Sequence, residues 1–376
     1  MGIHVRGVLR RAKALADATM GAAKSRSRRG ERRSIAAKNA EILALKRELA
    51  RVKGDGVAAA ETPVFFVVGH QKSGTTWLMR MLDAHAEILC QGEGRFFGAE
   101  WRQKSVRRID VRRPPSSLYN AVLDAKYLKF WVERSVWSRD GDADEHLKNL
   151  TRMAIDYFLL GELARTEKRL VGDKSPLLVP ETIEEISAIY PDARVVHIIR
   201  DGRDAVVSAL HHSWNFGKKV KNDEVSAKRE AYREDPDRML NSGESLFAAN
   251  SLARMAGEWA ARVGRTVLDG PALLGENYTE VRYEDLLSRP EEEVRRLLEF
   301  LGAGADDETV RRCVNAASFE KLSRGRERGE EDPTSFFRKG VAGDWRNTFT
   351  EQDRRVFEEM AGDLLAQLGY EKIEPL

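Results

Sequence analysis

The sequence predicts an α/β fold, a central parallel sheet flanked by helices, preceded by a basic helical N-terminal extension. Two observations predict it. Short apolar runs suited to buried strands recur at Val64–Val68, at the start of Leu170–Pro180, at Arg194–Ile199 and at Tyr278–Tyr283. After each comes a short loop and a stretch of helical periodicity, and that alternation builds parallel sheets with helices on their faces. A chain of 376 residues with 42% hydrophobic content can bury a full core. We expect one large domain over residues 61–376, behind a leader and linker over residues 1–60.

The basic character belongs to the leader. Residues 1–53 hold 15 Lys/Arg against 4 Asp/Glu, about +11, so the net charge of +3 leaves the remaining chain near −8. Val5, Val8, Leu9, Ala12, Leu15 and Ala16 fall on one helical face, and Lys24–Arg33 is too charged to pack. A second helix, Ile35–Val52, carries Ile42, Leu45 and Leu49. Two readings of the leader stay open: attachment to an anionic membrane face or a partner helix, or a mobile tail whose charge does little. No apolar run reaches the roughly 18 residues of a membrane span, and none has the unbroken apolar core of a secretory signal. Cys90 and Cys313 support neither a disulfide framework nor a zinc site and suit a reducing cytoplasm, the expected location. Nothing points to nucleic acid, and oligomeric state is left open.

In the folded part, Pro63–Trp77 is the organising stretch. The strand Val64–Val68 runs into a loop bounded by Gly69 and Gly74, and Thr75, Thr76 and Trp77 lead into Leu78, Met81 and Leu82 at helical spacing, a helix to about His85. Such a loop aims backbone N–H groups at one spot, and the helix start adds about half a positive charge there, which binds phosphate. The nucleotide-binding pattern G-x-x-x-x-G-K-[ST] is matched with a displacement: Thr75 stands where the lysine belongs, and the lysine is inside the loop as Lys72.

The later elements follow in order. Ile88–Cys90 reads as a short strand entering Gln91–Gly98, where Glu93 stands between two glycines beside Phe96 and Phe97. Trp101–His146 is either an acceptor-site wall or a surface helical excursion. Leu150, Ala154, Tyr157, Phe158 and Leu160 mark the packed face of a helix over Leu147–Leu163. Ile183, Ile186 and Ile189 mark another, and a helix from Arg203 or Asp204 carries Ser208 on its second turn. Lys218–Ser245 is a lid or a long exposed excursion. Phe247–Val263, Pro290–Leu301 and Thr309–Ala317 are helices, and the last, Glu351–Leu368, places Val356, Met360, Leu364 and Leu368 on one face until Gly369 ends it.

Three separated segments have the composition of an anion site: the Lys72 loop, the strand end Arg200 with Ser208, and the loop Arg338-Lys339-Gly340. Strand carboxyl ends of a doubly wound sheet converge on one crevice, so the first two are expected to face a common ligand phosphorylated in two places.

These residues resemble the sulfotransferases that use 3′-phosphoadenosine 5′-phosphosulfate (PAPS), whose fold is similar to that of P-loop nucleotide kinases. The family's 5′-phosphosulfate loop is matched by Lys72-Ser73-Gly74-Thr75-Thr76-Trp77. Its pairing of a strand-end Arg with a Ser eight residues on, at the 3′-phosphate, is matched by Arg200 and Ser208, and its R-K-G-x-x-G-D-W loop by Arg338–Trp345. Tyr283, in a Tyr-Glu-Asp-Leu segment, and Ser318-Phe319 fall where the family contacts the adenosine. The resemblance spans about Val64 to Tyr370. It implies that Lys72 neutralises the leaving oxygen, that PAPS is the co-substrate and PAP the product, and that no metal is required. The cytosolic branch places its base histidine in a K-T-H-x-P segment, but Lys174-Ser175-Pro176 has none. The carbohydrate branch uses the glutamate of N-E-x-H-F-F, which Gly92–Phe97 resembles. Glu93 is thus the candidate base and Lys174 an acceptor-side cation, with His211 and His212 weaker candidates. Flanking aromatics are expected to raise the Glu93 pKa; the rival reading has Glu93 pair with Arg95 or hold the turn. The acceptor is a small molecule or glycan. The alternatives are a P-loop-type nucleotide kinase, against which the displaced Lys72 stands, and a non-enzymatic adenine-nucleotide-binding protein.

Overall fold

The computed structural model describes residues 62–98, 117–123, 125–138, 142–216 and 223–370. Five strands form one all-parallel sheet in the order β2-β3-β1-β4-β5: β1 Val64–His70, β2 Ile88–Gly92, β3 Leu170–Leu177, β4 Arg194–Ile199 and β5 Tyr278–Arg282. Around it lie α1 Thr75–Asp83, α2 Leu118–Leu123, α3 Lys126–Arg134, α4 Ala143–Leu163, α5 Thr182–Ile189, α6 Gly202–Phe216, α7 Asp223–Glu234 and α8 Pro236–Asn241. Then follow α9 Ser251–Leu274, α10 Tyr283–Ser288, α11 Pro290–Phe300, α12 Asp307–Ala316, α13 Phe319–Ser323, α14 Trp345–Thr348 and α15 Glu351–Gln367.

The continuous apolar run of β1 follows from its place. Buried along its whole length, it sends Phe65 and Val67 into a core with α1, α11 and α12, and Val64, Phe66 and Val68 into a core with α4 and α5. A third core joins α6, α9 and α15 through Val206, Trp259 and Phe357. Phe66 meets Phe97 and Tyr190 edge-on at 5.5 and 5.4 Å, and its truncation to alanine costs roughly 3–5 kcal/mol. From β1 the chain goes outward to β2, returns through β3, then crosses to β4 and β5 on the other side. The reversal opens a crevice at the carboxyl ends of β1, β3 and β4, where this topology binds ligands.

Several expected elements differ in detail. The packed face of α4 is Leu147, Thr151, Ile155 and Leu159, whereas Tyr157, Phe158 and Leu160 are exposed. Apolar residues encircle this helix, so periodicity alone does not choose the face. On α15 the buried stripe is Phe357, Ala361, Leu364 and Leu365, and Met360 turns outward. Helix α9 starts later than expected and runs on to Leu274 past Gly270, where a Cβ would meet the Tyr278 ring at 2.3 Å. The charged stretch after residue 222 is helical, anchored by buried Tyr232. Helices α2, Leu118–Leu123, and α3, Lys126–Arg134, lie at the surface, with Trp131 and Trp137 exposed. The two leader helices, Val5–Ala16 and Ile35–Val52, lie outside the described residues. No helix among the described residues is long and apolar enough to cross a membrane.

Candidate active site

The strand ends open onto a cleft of about 770 Å³, lined in part by Lys72, Thr75, Thr76, Arg200, Ser208 and the loop Arg338–Gly340. Between β1 and α1 the chain turns through two left-handed residues, Lys72 at φ 68° and Gly74 at φ 95°. A Cβ on Gly74 would sit 2.6 Å from the Tyr283 ring, so close packing as well as backbone geometry selects glycine. Thr75 starts α1, and the unpaired N–H groups of that first turn suit an anion. Ser73 is fully buried, its hydroxyl without a partner among the described residues, and it is not part of the cleft lining.

Lys72 Nζ lies 4.1 Å from the centroid of the Phe336 ring. Burial first, then the charges of Arg200, Arg338 and Lys174, lower its pKa from 10.5 to about 8. Arg200 is held at the end of β4. Its Nη1 donates to Lys72 O at 3.0 Å, its Nη2 to Val341 O at 3.1 Å, and its guanidinium lies 4.3 Å over Tyr283. Ser208 reaches the same cleft from α6.

The third segment reaches the cleft because Asp204, in the first turn of α6, accepts from Gly343 N at 2.6 Å and from Trp345 N at 3.0 Å. Arg203 lies 3.9 Å over the Trp345 ring. Within the loop, Arg338 donates to Glu331 at 2.7 Å and also to Asp344, and Lys339 Nζ donates to Asp344 at 2.7 Å. Burial alone would raise the Asp344 pKa, yet Arg338 and Lys339 hold it down at about 2. Gly340, at φ 67°, lets the loop lie against Phe319, where a Cβ would come within 2.4 Å of the ring. Neither Asp204 nor Arg326, which donates to the carbonyls of Phe337 and Arg338, was legible as a loop anchor in the sequence.

An aromatic wall closes one end. Trp77 donates to Ala317 O at 2.8 Å and meets Tyr283 edge-on at 5.4 Å, and Phe319 and Leu322 continue the surface. Ser318 does not line the cleft; its hydroxyl caps α13 by accepting from Lys321 N and so fixes Phe319.

At the other end Lys174 Nζ donates to Glu93 Oε1 at 2.6 Å. Lys174 is 6% exposed and Glu93 46%. The partner of Glu93 is therefore Lys174 rather than Arg95, and aromatic rings do not enclose it. Asp173 steadies the turn by accepting from Gly94 N at 2.8 Å. His212 lines the cleft edge-on to Phe336, whereas His211 is buried between Trp214 and Tyr232. Sequence reasoning also missed Arg254, Glu258 and Arg262, which bring one face of α9 to the cleft. None of the described residues 117–138 lines the cleft.

Sheet order and the crevice at the strand ends define a doubly wound, all-parallel α/β protein. The chain belongs to the family of the sulfotransferase domain, whose model matches residues 62–369. Sulfotransferase 1A1 of Rattus norvegicus is 35% identical over 85 residues, 20% of this chain and 29% of that protein. Nodulation protein NoeE of Sinorhizobium fredii is 26% identical over 323 residues, 82% of this chain and 66% of that protein. The chain spans 29%, 29% and 60% of the sulfotransferase 1A1 proteins of rat, Bos taurus and Mus musculus. Among solved structures, mouse sulfotransferase SULT7A1 complexed with PAP is 18% identical, with a TM-score of 0.41 over 82% of this chain and 86% of that one.

Proposed function

We propose that this chain binds PAPS and moves its sulfuryl group to a hydroxyl or amine of an acceptor, releasing PAP. The observation that carries this reading is the meeting of Lys72, Arg200, Ser208 and Arg338–Gly340 in one cleft beside the Trp77, Tyr283 and Phe319 wall. The residues fit such a nucleotide: the Nε atoms of Arg200 and Arg338 are buried and have no partner among the described residues. Arg200, Ser208, Arg338 and Lys339 would hold the 3′-phosphate, and Lys72, Thr75 and Thr76 the 5′ side. The rings would hold the base.

The bond that forms joins the acceptor oxygen to sulfur, and the bond that breaks joins sulfur to the phosphate oxygen, which leaves with the electron pair. Lys72 neutralises that oxygen, since positioning and electrostatics dominate such transfers. The acceptor proton passes to the Glu93 carboxylate, which Lys174 orients. The Gly92–Phe97 segment favours a carbohydrate acceptor through its resemblance, while the Arg338–Trp345 loop resembles the small-molecule branch.

Binding of PAP and ATP is measured separately by calorimetry, and transfer is followed from labelled PAPS to glycans, phenols, lipids and amines with a chelator present. PAP binding and acceptor labelling are expected. ATP turnover without PAPS use would remove this reading.

A further inference from the structure

The cleft holds more cations than the proposed donor phosphates are assigned. Nine Lys/Arg and two Glu line the whole cleft. Lys72, Arg200, Arg338 and Lys339 are assigned to the nucleotide phosphates, and Arg328 lies 5.8 Å over Trp77 at the base. That leaves Arg95, Lys174, Arg254 and Arg262 against Glu93 and Glu258 among the lining residues, with buried Asp173 also beside Lys174.

Three of these six residues form a ladder on α9 at i, i+4 and i+8. Glu258 accepts from Arg254 at 2.8 Å and faces Arg262 at 3.4 Å, so one carboxylate sits between two guanidinium groups. An exposed helical ladder of this kind is ordinary surface chemistry. This one differs because it lines the cleft and because the Arg262 side chain is only 8% exposed. Its charge is also felt at His70, two residues before Lys72, where burial first and then Arg262 lower the imidazole pKa to about 3. The Arg262 end of the ladder therefore lies near the carboxyl end of β1, which His70 closes. Guanidinium groups suit planar anions, and Glu258 pairs with both of these on the cleft wall.

We propose that the acceptor carries a carboxylate or sulfate-type anion besides its reacting hydroxyl, and that Arg254 and Arg262, braced by Glu258, grip that anion. This rests on the sulfuryl-transfer reading above. The arginine pair orients the acceptor and sets its specificity, while Glu93 and Lys174 serve the hydroxyl itself.

The test uses the full chain and acceptor pairs that differ in one charge: 4-hydroxybenzoate against 4-hydroxybenzamide, and a glucuronate-containing oligosaccharide against its carboxyl-reduced form. PAP binding is measured first. We expect the charged member of a pair to have the higher kcat/KM, by roughly ten- to a hundredfold, through KM. The phenol and sugar arms distinguish the two sources of the carboxylate. In Arg254→Gln, whose side chain is 63% exposed and safely replaced, that ratio should collapse toward one while PAP affinity stays within about twofold. Arg262→Gln should act in the same direction, with its folding checked by thermal melting. Equal or inverted preference overturns the proposal, as does an unchanged ratio in Arg254→Gln or failure of both charged probes in an enzyme that binds PAP. Absence of PAP binding by the unmodified chain removes the nucleotide reading itself, and this inference with it.

Discussion

Arg200 donates through Nη1 to the main-chain carbonyl of Lys72 at 3.0 Å, tying the end of β4 to the loop after β1. The arginine assigned to one phosphate therefore also braces the lysine assigned to the other, in a loop where Lys72 holds a left-handed backbone. Arg200→Ala removes a charge-assisted donor and leaves the carbonyls of Lys72 and Val341 without their partner. PAP affinity should fall roughly ten- to a hundredfold by calorimetry, and turnover with it. Affinity within twofold of the unmodified chain would take Arg200 out of the phosphate site.

Lys72 titrates at about 8 because burial and three neighbouring cations disfavour its charge. An anion bound beside it favours the charge again, so binding draws a proton onto Lys72 once the pH passes about 8. PAP affinity should be level below about pH 7 and fall as pH rises through about 8, by up to about tenfold per unit. Calorimetry near pH 8.5 in two buffers of different ionisation enthalpy should show proton uptake that disappears in Lys72→Ala. At neutral pH the same variant should lose only the PAP affinity that the charged lysine contributes, as read from the pH profile, and lose turnover by orders of magnitude more. Equal loss of both would make Lys72 an ordinary ground-state contact.

Much of the frame was legible. The runs at Val64, Arg194 and Tyr278 read as strands because a parallel strand buried on both faces is apolar throughout, and glycine and proline punctuated the chain between them. Lys72, Arg200, Ser208 and Arg338–Gly340 were legible as one group because their spacing resembles a family pattern, and they do share a cleft. The exposed face of α4 was not, because apolar residues surround that helix. The α9 ladder was missed for a different reason: Arg254, Glu258 and Arg262 belong to no motif, and only the packing of α9 brings them to the cleft. Asp204 was hidden because its partners, the N–H groups of Gly343 and Trp345, lie about 140 residues away.

Asp344 is a loop anchor whose contribution depends on pH. Its folded pKa of about 2 lies below the unfolded value of 3.8, so the unfolded chain binds more protons between those values. The contribution, roughly 2 kcal/mol, is complete above about pH 4 and is lost as the pH falls toward 2. Asp344→Asn should lower the stability at neutral pH by about that amount in urea unfolding and flatten the acid limb of the stability profile. An unchanged limb would show that Arg338 and Lys339 do not hold this carboxylate in solution.

Asp204→Ala leaves the N–H groups of Gly343 and Trp345 without their acceptor. Each such buried group costs about 1–3 kcal/mol, which should appear as a lower melting temperature and as PAP binding weakened through displacement of Arg338–Gly340. Normal PAP affinity in a destabilised variant would separate the anchor from the site.

Glu93→Gln tests the proton acceptor with the least disturbance. The amide oxygen can still accept from Lys174, now 2.6 Å from the carboxylate, so the turn and its ion-facing side chain keep their places while basicity is lost. A positioned base contributes typically 10²–10⁴-fold, and the loss should fall on kcat, with KM for PAPS and the melting temperature unchanged. Lys174→Gln removes the orienting ammonium but leaves the carboxylate, so its effect on kcat should be the smaller of the two. The order of the two variants is the discriminating measurement. If Lys174→Gln is the more damaging, the ammonium acts on the transferring group and Glu93 merely holds it. If Glu93→Gln turns over at the normal rate, the proton goes elsewhere, and His212, which lines the same cleft beside Phe336, becomes the group to replace.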